Sequence, residues 1–405
     1  MRIGQFAQKN KISIDTVRHY MDLGLIIAEK QGGQYFFDTR CEQDLEDIFT
    51  LKGMGFTLHE IKNIFIYRRL SKSTPYQKNE YYKSFFTEKY LKIEEEINEL
   101  KNIKERLKNK IQELSLNENE KNTKLGVDLS ALNILKCLKC GEKLTLSEGQ
   151  ILDNSIIDGK LKCDCGEEYS IEAGILIVNN THKQSHFKMG FDYINEYISE
   201  TDVDYLDNIY KSIEWMSKRI SGEFYKNKIL LELGSGSGFN LRNLYDELPQ
   251  ECLYIAVDHD IGRHKFLKAM LESTGRKSNI LFICADFLEI PINDKSIDVL
   301  MDYWGTSNYS FDNEEFLLNK IEHYCKDNCS LLASYAIFKN FSANSILENK
   351  YRKNYSLQNI KKNIENLKFK KIDDKALDYL ERGGKYENFF VEGEKVYSYM
   401  YYGKR

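Results

Sequence analysis

Over residues 1 to about 75, apolar residues recur at helical spacing in short bursts, broken at Gly24, Gly32-Gly33 and Gly55. From about residue 80 to 116 the pattern changes to one stretch without Gly or Pro. Ile93, Leu100, Leu107 and Leu114 return every seven residues there, with Ile97 and Ile111 at the complementary position and Lys104 interrupting that row. This predicts a long helix with a narrow a/d seam, flanked by the charged face of Glu94–Glu96, Glu99, Lys101, Glu105, Arg106 and Lys108. Residues 117–124 are polar and read as a linker. Short strand-like pieces fill 125 to about 180. From about 185 onward, apolar β-rich runs alternate with helical stretches, the pattern of an α/β domain with a largely parallel sheet. The strands are expected at 229–233, 253–258, 280–287, 330–338, 369–375 and 395–402, with 290–300 leading into a fourth before 330, and the last two as an antiparallel edge pair.

Composition narrows this picture. A chain of 405 residues suits two or three domains, and 42 % hydrophobic with 13 % aromatic residues excludes wholesale disorder. With 62 acids against 58 bases, the net charge of −4 excludes a chain that adheres to nucleic acid along its length, but not one basic module within it. The first residues, Met1 to Gln5, lack the apolar core of a secretion signal, and no apolar run approaches the ~18 residues of a membrane span. A cytoplasmic location with no membrane partner is expected. In that reducing compartment nine cysteines read as metal ligands or buried thiols rather than disulfides.

The first segment predicts two short helices, Ile3–Gln8 and one reaching Met21, joined by a turn at Lys11-Ile12. Ser13 is placed to cap the second. Ile14, Val17 and Met21 are expected to face inward and Thr16, Arg18 and Tyr20 outward. A helix-turn-helix with a hairpin over Gly32 to Asp38 and helices over Asp44–Lys52 and Thr57–Phe65 follows. Through Ile3-Gly4-x-Phe6-Ala7, Ser13-x-Asp15-Thr16-Val17-Arg18-His19-Tyr20, Leu23-Gly24-Leu25-Ile26 and Gly55-Phe56-Thr57-Leu58-x-Glu60-Ile61, the chain resembles the MerR family of transcription regulators over residues 1 to about 116. The resemblance implies that the second helix enters the major groove, with Ser13, Thr16, Arg18 and Tyr20 as its nucleic-acid contacts and Tyr35 on the wing. It also implies a homodimer through an antiparallel coiled coil of the long helix, bound to a pseudo-palindromic double-stranded operator. The wing departs from the family pattern: Gln34-Tyr35-Phe36 offers no Arg after the glycine, so a phosphate contact is expected to be missing.

Cys137-x-x-Cys140-Gly141 and Cys163-x-Cys165-Gly166 form two knuckles separated by residues 141–162. Four soft ligands on two short loops suit a tetrahedral, structural zinc ion held by Cys137, Cys140, Cys163 and Cys165. A glycine after each pair lets the backbone turn so that amides approach the sulfurs.

Further on, Ile229 to Gly238 is an apolar strand running into a glycine turn. Two more strands end in acids, at Asp258 and at Asp286-Phe287. This series resembles the class I S-adenosylmethionine-dependent methyltransferases over residues of about 190 to 405. The resemblance implies S-adenosylmethionine as cofactor. Glu232 would hold its methionine part, Gly234, Ser235, Gly236 and Gly238 would cradle it, and Asp258 would take the ribose. Asp286, with Phe287 beside it, would lie near the adenine. After the fourth strand, Asp302-Tyr303-Trp304-Gly305 replaces the Asn/Asp-Pro-Pro-Tyr tetrad of amino-methylating enzymes, which disfavours adenine N6 methylation. No catalytic base stands out; Asp302, Tyr303 and Tyr309 are candidates for lining an acceptor pocket.

The expected architecture is multidomain: an α-helical winged helix-turn-helix over 1–78, a coiled-coil dimerisation helix over 79–118, a small β zinc ribbon over 125–182 and a Rossmann-like α/β methyltransferase domain over 185–405. Two functions remain open. In one, a DNA-binding regulator uses its cofactor-binding domain as an effector sensor or to methylate a small molecule. In the other, a zinc-ribbon methyltransferase acts on RNA or a small molecule and regulates its own expression. The second reading draws on the resemblance of this zinc-then-methyltransferase order to certain rRNA guanine methyltransferases.

Overall fold

The structure, a computed structural model, describes residues 1–70, 75–116, 123–178, 190–220 and 222–405. The linker expected over 117–124 lies outside the described residues as far as 122. The chain forms two compact units, Met1–Asn117 and Glu118–Arg405. Among the described residues no helix is long and apolar enough to cross a membrane.

The first unit contains α1 (Ile3–Lys9), α2 (Ile14–Asp22), the hairpin β1 (Glu29–Gln31) and β2 (Gln34–Phe36), α3 (Thr39–Gly53), α4 (Leu58–Leu70) and α5 (Pro75–Leu116). Ser13 caps α2, its side-chain oxygen accepting from the Thr16 amide at 3.0 Å. The hairpin turns on Gly32 and Gly33, both at positive φ (+55° and +82°), as a two-residue turn between twisted strands requires. Phe6, Val17, Tyr20, Leu25, Leu45, Ile48, Ile61 and Phe65 share one core. The inward face of α2 is thus Val17 and Tyr20, whereas Ile14 is 41 % exposed. This corrects the expected orientation: an aromatic ring with a polar tip buries more apolar area than Ile14 does at the helix start. Along α5 the seam residues Ile97, Leu100, Leu107, Ile111 and Leu114 all stand exposed.

The second unit opens with β3 (Val127–Asp128), β4 (Thr145–Leu152), β5 (Ser155–Lys162), β6 (Glu168–Glu172) and β7 (Ile175–Ile177). It continues with α6 (Phe191–Glu200), α7 (Val203–Ser217), α8 (Gly222–Tyr225), β8 (Ile229–Leu233), α9 (Phe239–Leu244), β9 (Leu253–Asp258), α10 (Ile261–Glu272) and β10 (Ile280–Cys284). It ends with β11 (Ile297–Tyr303), α11 (Gly305–Tyr309), α12 (Leu317–Ile321), β12 (Cys325–Asn340), α13 (Leu357–Asn366), β13 (Lys370–Ala376) and β14 (Lys395–Lys404). One sheet joins them in the order β13-β14-β12-β11-β8-β9-β10-β7-β6-β5-β3, with β4 on β5. The stretch from β12 to β7 is parallel, while β14 runs antiparallel to both β12 and β13.

Strands β9 and β10 are buried at every position, as parallel strands covered on both faces are. Alternate residues feed two cores: Leu231, Ile255, Leu281 and Ile283 on one face, Leu230, Tyr254, Phe282 and Met301 on the other. The cysteine-bearing hairpins are continuous with this sheet. Ile175–Ile177 of β7 pairs with Phe282–Cys284 of β10, and the Lys136 amide, next to Cys137, donates to the Pro291 carbonyl at 3.0 Å. The segments expected over 125–182 and from 185 therefore share one ladder and one core.

Candidate functional site

Three places gather the chemistry. On α2, Arg18 is exposed and its Nη1 lies 3.1 Å from Asp15. Ser13 and Thr16 hydroxyls share a 2.8 Å hydrogen bond. Tyr35 is 41 % exposed on the wing, with the Lys30 ammonium 5.6 Å from its ring centre. Tyr20, expected as a contact, is only 3 % exposed and presents nothing to a duplex. His19, not singled out from sequence, is exposed beside Arg18. A strict helical count of exposed positions would have found it.

The four cysteines Cys137, Cys140, Cys163 and Cys165 come together with all four Sγ atoms within 4.8 Å of one another. Gly141 and Gly166 take φ of +80° and +92°, the left-handed turn that each knuckle needs. Burial pushes the Cys137 thiol up, but the amides of Cys140 and Lys139 and the neighbouring Cys165 outweigh it and bring it down to about 6. Soft donors, sulfur-facing amides and the Tyr169 hydroxyl 3.9 Å from the Cys137 sulfur suit a divalent thiophilic ion.

The third place lies where the strand order reverses. β8 has β9 on one side and β11 on the other, and a crevice opens beyond the carboxyl ends of such a pair. Here a cleft of about 310 Å³ is lined by Glu232, Gly234, Ser235, Gly236, Asn240, Arg263, Tyr303 and Trp304. Gly234, Gly236 and Gly238 all have positive φ (+68°, +50° and +78°). A Cβ on Gly236 would meet the cleft-lining Gly234 carbonyl and Arg263 at 3.8 and 3.9 Å, whereas one on Gly238 would fall 2.2 Å from Leu267. The first glycine keeps the cleft clear and the second packs α9 against α10.

Asp258 is buried behind this turn. Its Oδ2 accepts from the Gly236 amide and its Oδ1 from the Asp260 amide, each at 2.9 Å. It braces the glycine turn and does not line the cleft. Asp286 is exposed and accepts from the Leu288 amide at 2.9 Å, while the Phe287 ring lies 3.5 Å from where a Gly234 Cβ would stand. Asp302 is likewise withdrawn: it accepts from the Thr306 amide and hydroxyl at 2.8 and 2.6 Å at the start of α11. Burial holds the Asp302 carboxyl up at about 6. Tyr303 lines the cleft; Tyr309 does not.

Glu232 is 2 % exposed, its Oε2 makes no hydrogen bond, and burial raises its carboxyl to about 7. Between pH 4.5 and about 7 the native state therefore binds more protons here than the unfolded chain does. The stability this contributes is full below pH 4.5 and is lost as pH rises through 7. Glu232→Gln is thus expected to stabilise the unliganded protein at pH 8, by up to roughly 3 kcal/mol, and much less at pH 5. Thermal melts at the two pH values check this; equal shifts would contradict it.

The far wall of the cleft comes from α6, α7 and the loop before β14: Tyr193, Tyr197, Tyr205, Tyr386, Glu387 and Phe389. Sequence reading missed these residues. The i, i+4 tyrosines of α6 carried a faint signal, and the irregular loop carried none.

Residues 1–66 match the family described as MerR HTH family regulatory protein. The nodulation protein NolA of Bradyrhizobium elkanii is 35 % identical over 63 residues, which are 15 % of this chain and 29 % of that relative. Among solved structures, a SAM-dependent methyltransferase from Aquifex aeolicus aligns with 53 % of this chain and 99 % of its own, at 16 % identity and a TM-score of 0.34. Phosphoethanolamine N-methyltransferase 2 of Haemonchus contortus aligns with 48 % of this chain and 52 % of its own, at 13 % identity and a TM-score of 0.36. With its capped second helix, glycine-turned wing and family match, the N-terminal segment of this chain is a MerR-type helix-turn-helix.

Proposed function

We propose that this protein is a cytoplasmic, dimeric DNA-binding regulator whose second unit binds S-adenosylmethionine and transfers its methyl group to a small molecule. One observation carries the cofactor half: the cleft at the crossover of β8 and β11, with a glycine turn held open and buried polar atoms unpaired. Besides Glu232 Oε2, the Ser235 hydroxyl and the Trp304 indole N–H lack partners, an inventory that a polar, cationic ligand would complete. When bound, S-adenosylmethionine supplies an electrophilic methyl group. Glu232 would face its ammonium, the Gly234–Gly238 turn would pass along its chain, Phe287 would flank its base, and the tyrosine wall would exclude water. Asp258 acts through the turn it braces. Incubation with radiolabelled S-adenosylmethionine and a small-molecule panel tests turnover. Label retained only as bound cofactor would leave the unit a sensor.

Zinc at the four cysteines would be structural, since all four ligand positions are filled by protein. The RNA-directed alternative is less favoured. Three exposed lysines of the ribbon are matched by acids, Lys139 with Glu167, Lys160 with Glu148 and Lys162 with Glu168. That pairing leaves little charge to grip a phosphate backbone.

For DNA, the exposed apolar residues Ile97, Leu100, Leu107 and Leu114 along α5 support an antiparallel coiled-coil dimer that sets two α2 helices on a pseudo-palindromic site. Lys30, beside Tyr35, offers the wing the cation that its glycine turn lacks. Arg18→Ala is expected to weaken binding to a site selected from random duplexes by about tenfold or more, at fixed salt, without changing the dimer. An unchanged gel-shift affinity would remove α2 as the reading helix.

A further inference from the structure

The aromatic end of the cleft holds a carboxylate with no cation. Glu387 is half-buried, the Tyr197 and Thr201 hydroxyls are its hydrogen-bonding neighbours, and no lysine or arginine pairs with it among the described residues. The nearest lining cation, Arg263, is held by Asp258 and Asp260 at 3.9 and 3.7 Å. A half-buried carboxylate with hydroxyl neighbours but no countercharge is costly to keep ionised, and a cationic ligand would relieve that cost.

The loop is built to keep Glu387 there. The Asp202 amide donates to the Gly383 carbonyl at 3.1 Å and the Lys385 amide to the Glu200 carbonyl at 3.3 Å. A Cβ on Gly384 would fall 2.7 Å from the Thr201 Cα, so the close approach to the end of α6 needs glycine. Rings enclose the carboxylate's surroundings. Tyr386 lies edge-on to Tyr193 at 5.3 Å and against Tyr197 at 5.9 Å, and Trp304 sits edge-on to Phe389 at 5.6 Å and to Tyr205 at 6.3 Å. Aromatic faces around one acid favour an organic ammonium over a metal ion, which would ask for several oxygen ligands.

We propose that this end of the cleft is the acceptor subsite and that it takes a small organic amine, bound as its ammonium against Glu387 and the surrounding rings. The inference rests on the methyltransferase reading and names its substrate class. An ammonium nitrogen has no lone pair, so one N–H proton must leave before methylation. The Glu387 carboxylate is placed to take it, and burial raises the carboxyl toward that task; the freed nitrogen lone pair then forms the N–C bond as the methyl–sulfonium bond breaks and S-adenosylhomocysteine leaves.

The test is calorimetry on the full chain with phenethylamine, phenethyl alcohol and choline, each with and without saturating S-adenosylhomocysteine. The two cations are expected to bind. Glu387→Gln is expected to weaken them about ten- to a hundredfold, with Glu387→Asp intermediate, while phenethyl alcohol and S-adenosylhomocysteine bind unchanged. Choline, which has no N–H, separates charge recognition from proton transfer: it is expected to bind but not to accept a methyl group. Failure of both cations to bind, or equal losses for amine and alcohol, overturns the subsite. An equal loss for S-adenosylhomocysteine assigns Glu387 to the cofactor half and also overturns it. Failure of S-adenosylhomocysteine to bind refutes the methyltransferase reading separately, and the amine titrations made without it still decide the subsite.

Discussion

Cys163→Ser is expected to lose bound metal and to unfold the cysteine-bearing hairpins. Freshly prepared protein should carry about one zinc per chain, and the variant close to none. The four Sγ atoms lie within 4.8 Å of one another where the two knuckle loops meet. Leu135, Cys137, Leu144 and Leu161 join the main core, and β7 lies directly on β10. Damage at the knuckles should therefore reach the edge of the parallel sheet. Loss of a structural metal belongs among the large single-site effects, and a fall in Tm of roughly 10 °C or more is expected for this unit. Elemental analysis and a thermal melt check both parts. A zinc-free wild type that melts like the chelator-treated protein would contradict the metal site.

The second large effect is expected at the glycine turn. Gly236→Val should abolish S-adenosylmethionine binding. The added Cβ points into the cleft, and a β-branched residue at φ +50° costs on the order of 1–2 kcal/mol in backbone strain as well. Asp258→Ala should act on the same turn from behind. It leaves the part-buried Gly236 amide and the buried Asp260 amide without their acceptor, the latter at a cost of about 1–3 kcal/mol. The two variants should differ in one respect. Gly236→Val loses the ligand more than stability, whereas Asp258→Ala loses both, because its carboxylate holds the turn in shape. A melt beside each titration separates them. An Asp258→Ala protein with wild-type Tm and weakened binding would show the carboxylate meeting the ligand directly.

Much of this fold was legible where local chemistry and tertiary packing agree. The Ser13 cap, the Gly32-Gly33 turn and the largely apolar strands beginning at Ile229, Leu253 and Ile280 each have one physical solution. The antiparallel edge pair over 369–375 and 395–402 was legible too, because its strands lack a helical connection. Faces were harder. Tyr20 and Ile14 compete for the same core, and helical spacing alone does not rank an aromatic ring against an aliphatic side chain. Acids at strand ends were also ambiguous. Asp258, Asp286 and Asp302 all sit where a ligand acid is expected, yet two of them brace local backbone and Asp286 caps its own turn. That distinction depends on which amides lie within 3 Å, a property of the folded chain. The wall of the cleft escaped because Tyr386, Glu387 and Phe389 lie in an irregular loop, brought to the site by the Thr201–Gly384 contact.

The central claim is that one chain joins a MerR-type DNA reader to a unit that binds S-adenosylmethionine at the β8–β11 crossover. Isothermal calorimetry of the wild-type protein tests the second half most directly, with S-adenosylmethionine, S-adenosylhomocysteine and NAD titrated separately and Gly236→Val as the control. Binding of one S-adenosylmethionine or one S-adenosylhomocysteine per chain, none of NAD, and none of any of the three to the variant is the expected result. Uptake of NAD without S-adenosylmethionine, or no binding of either, would contradict it.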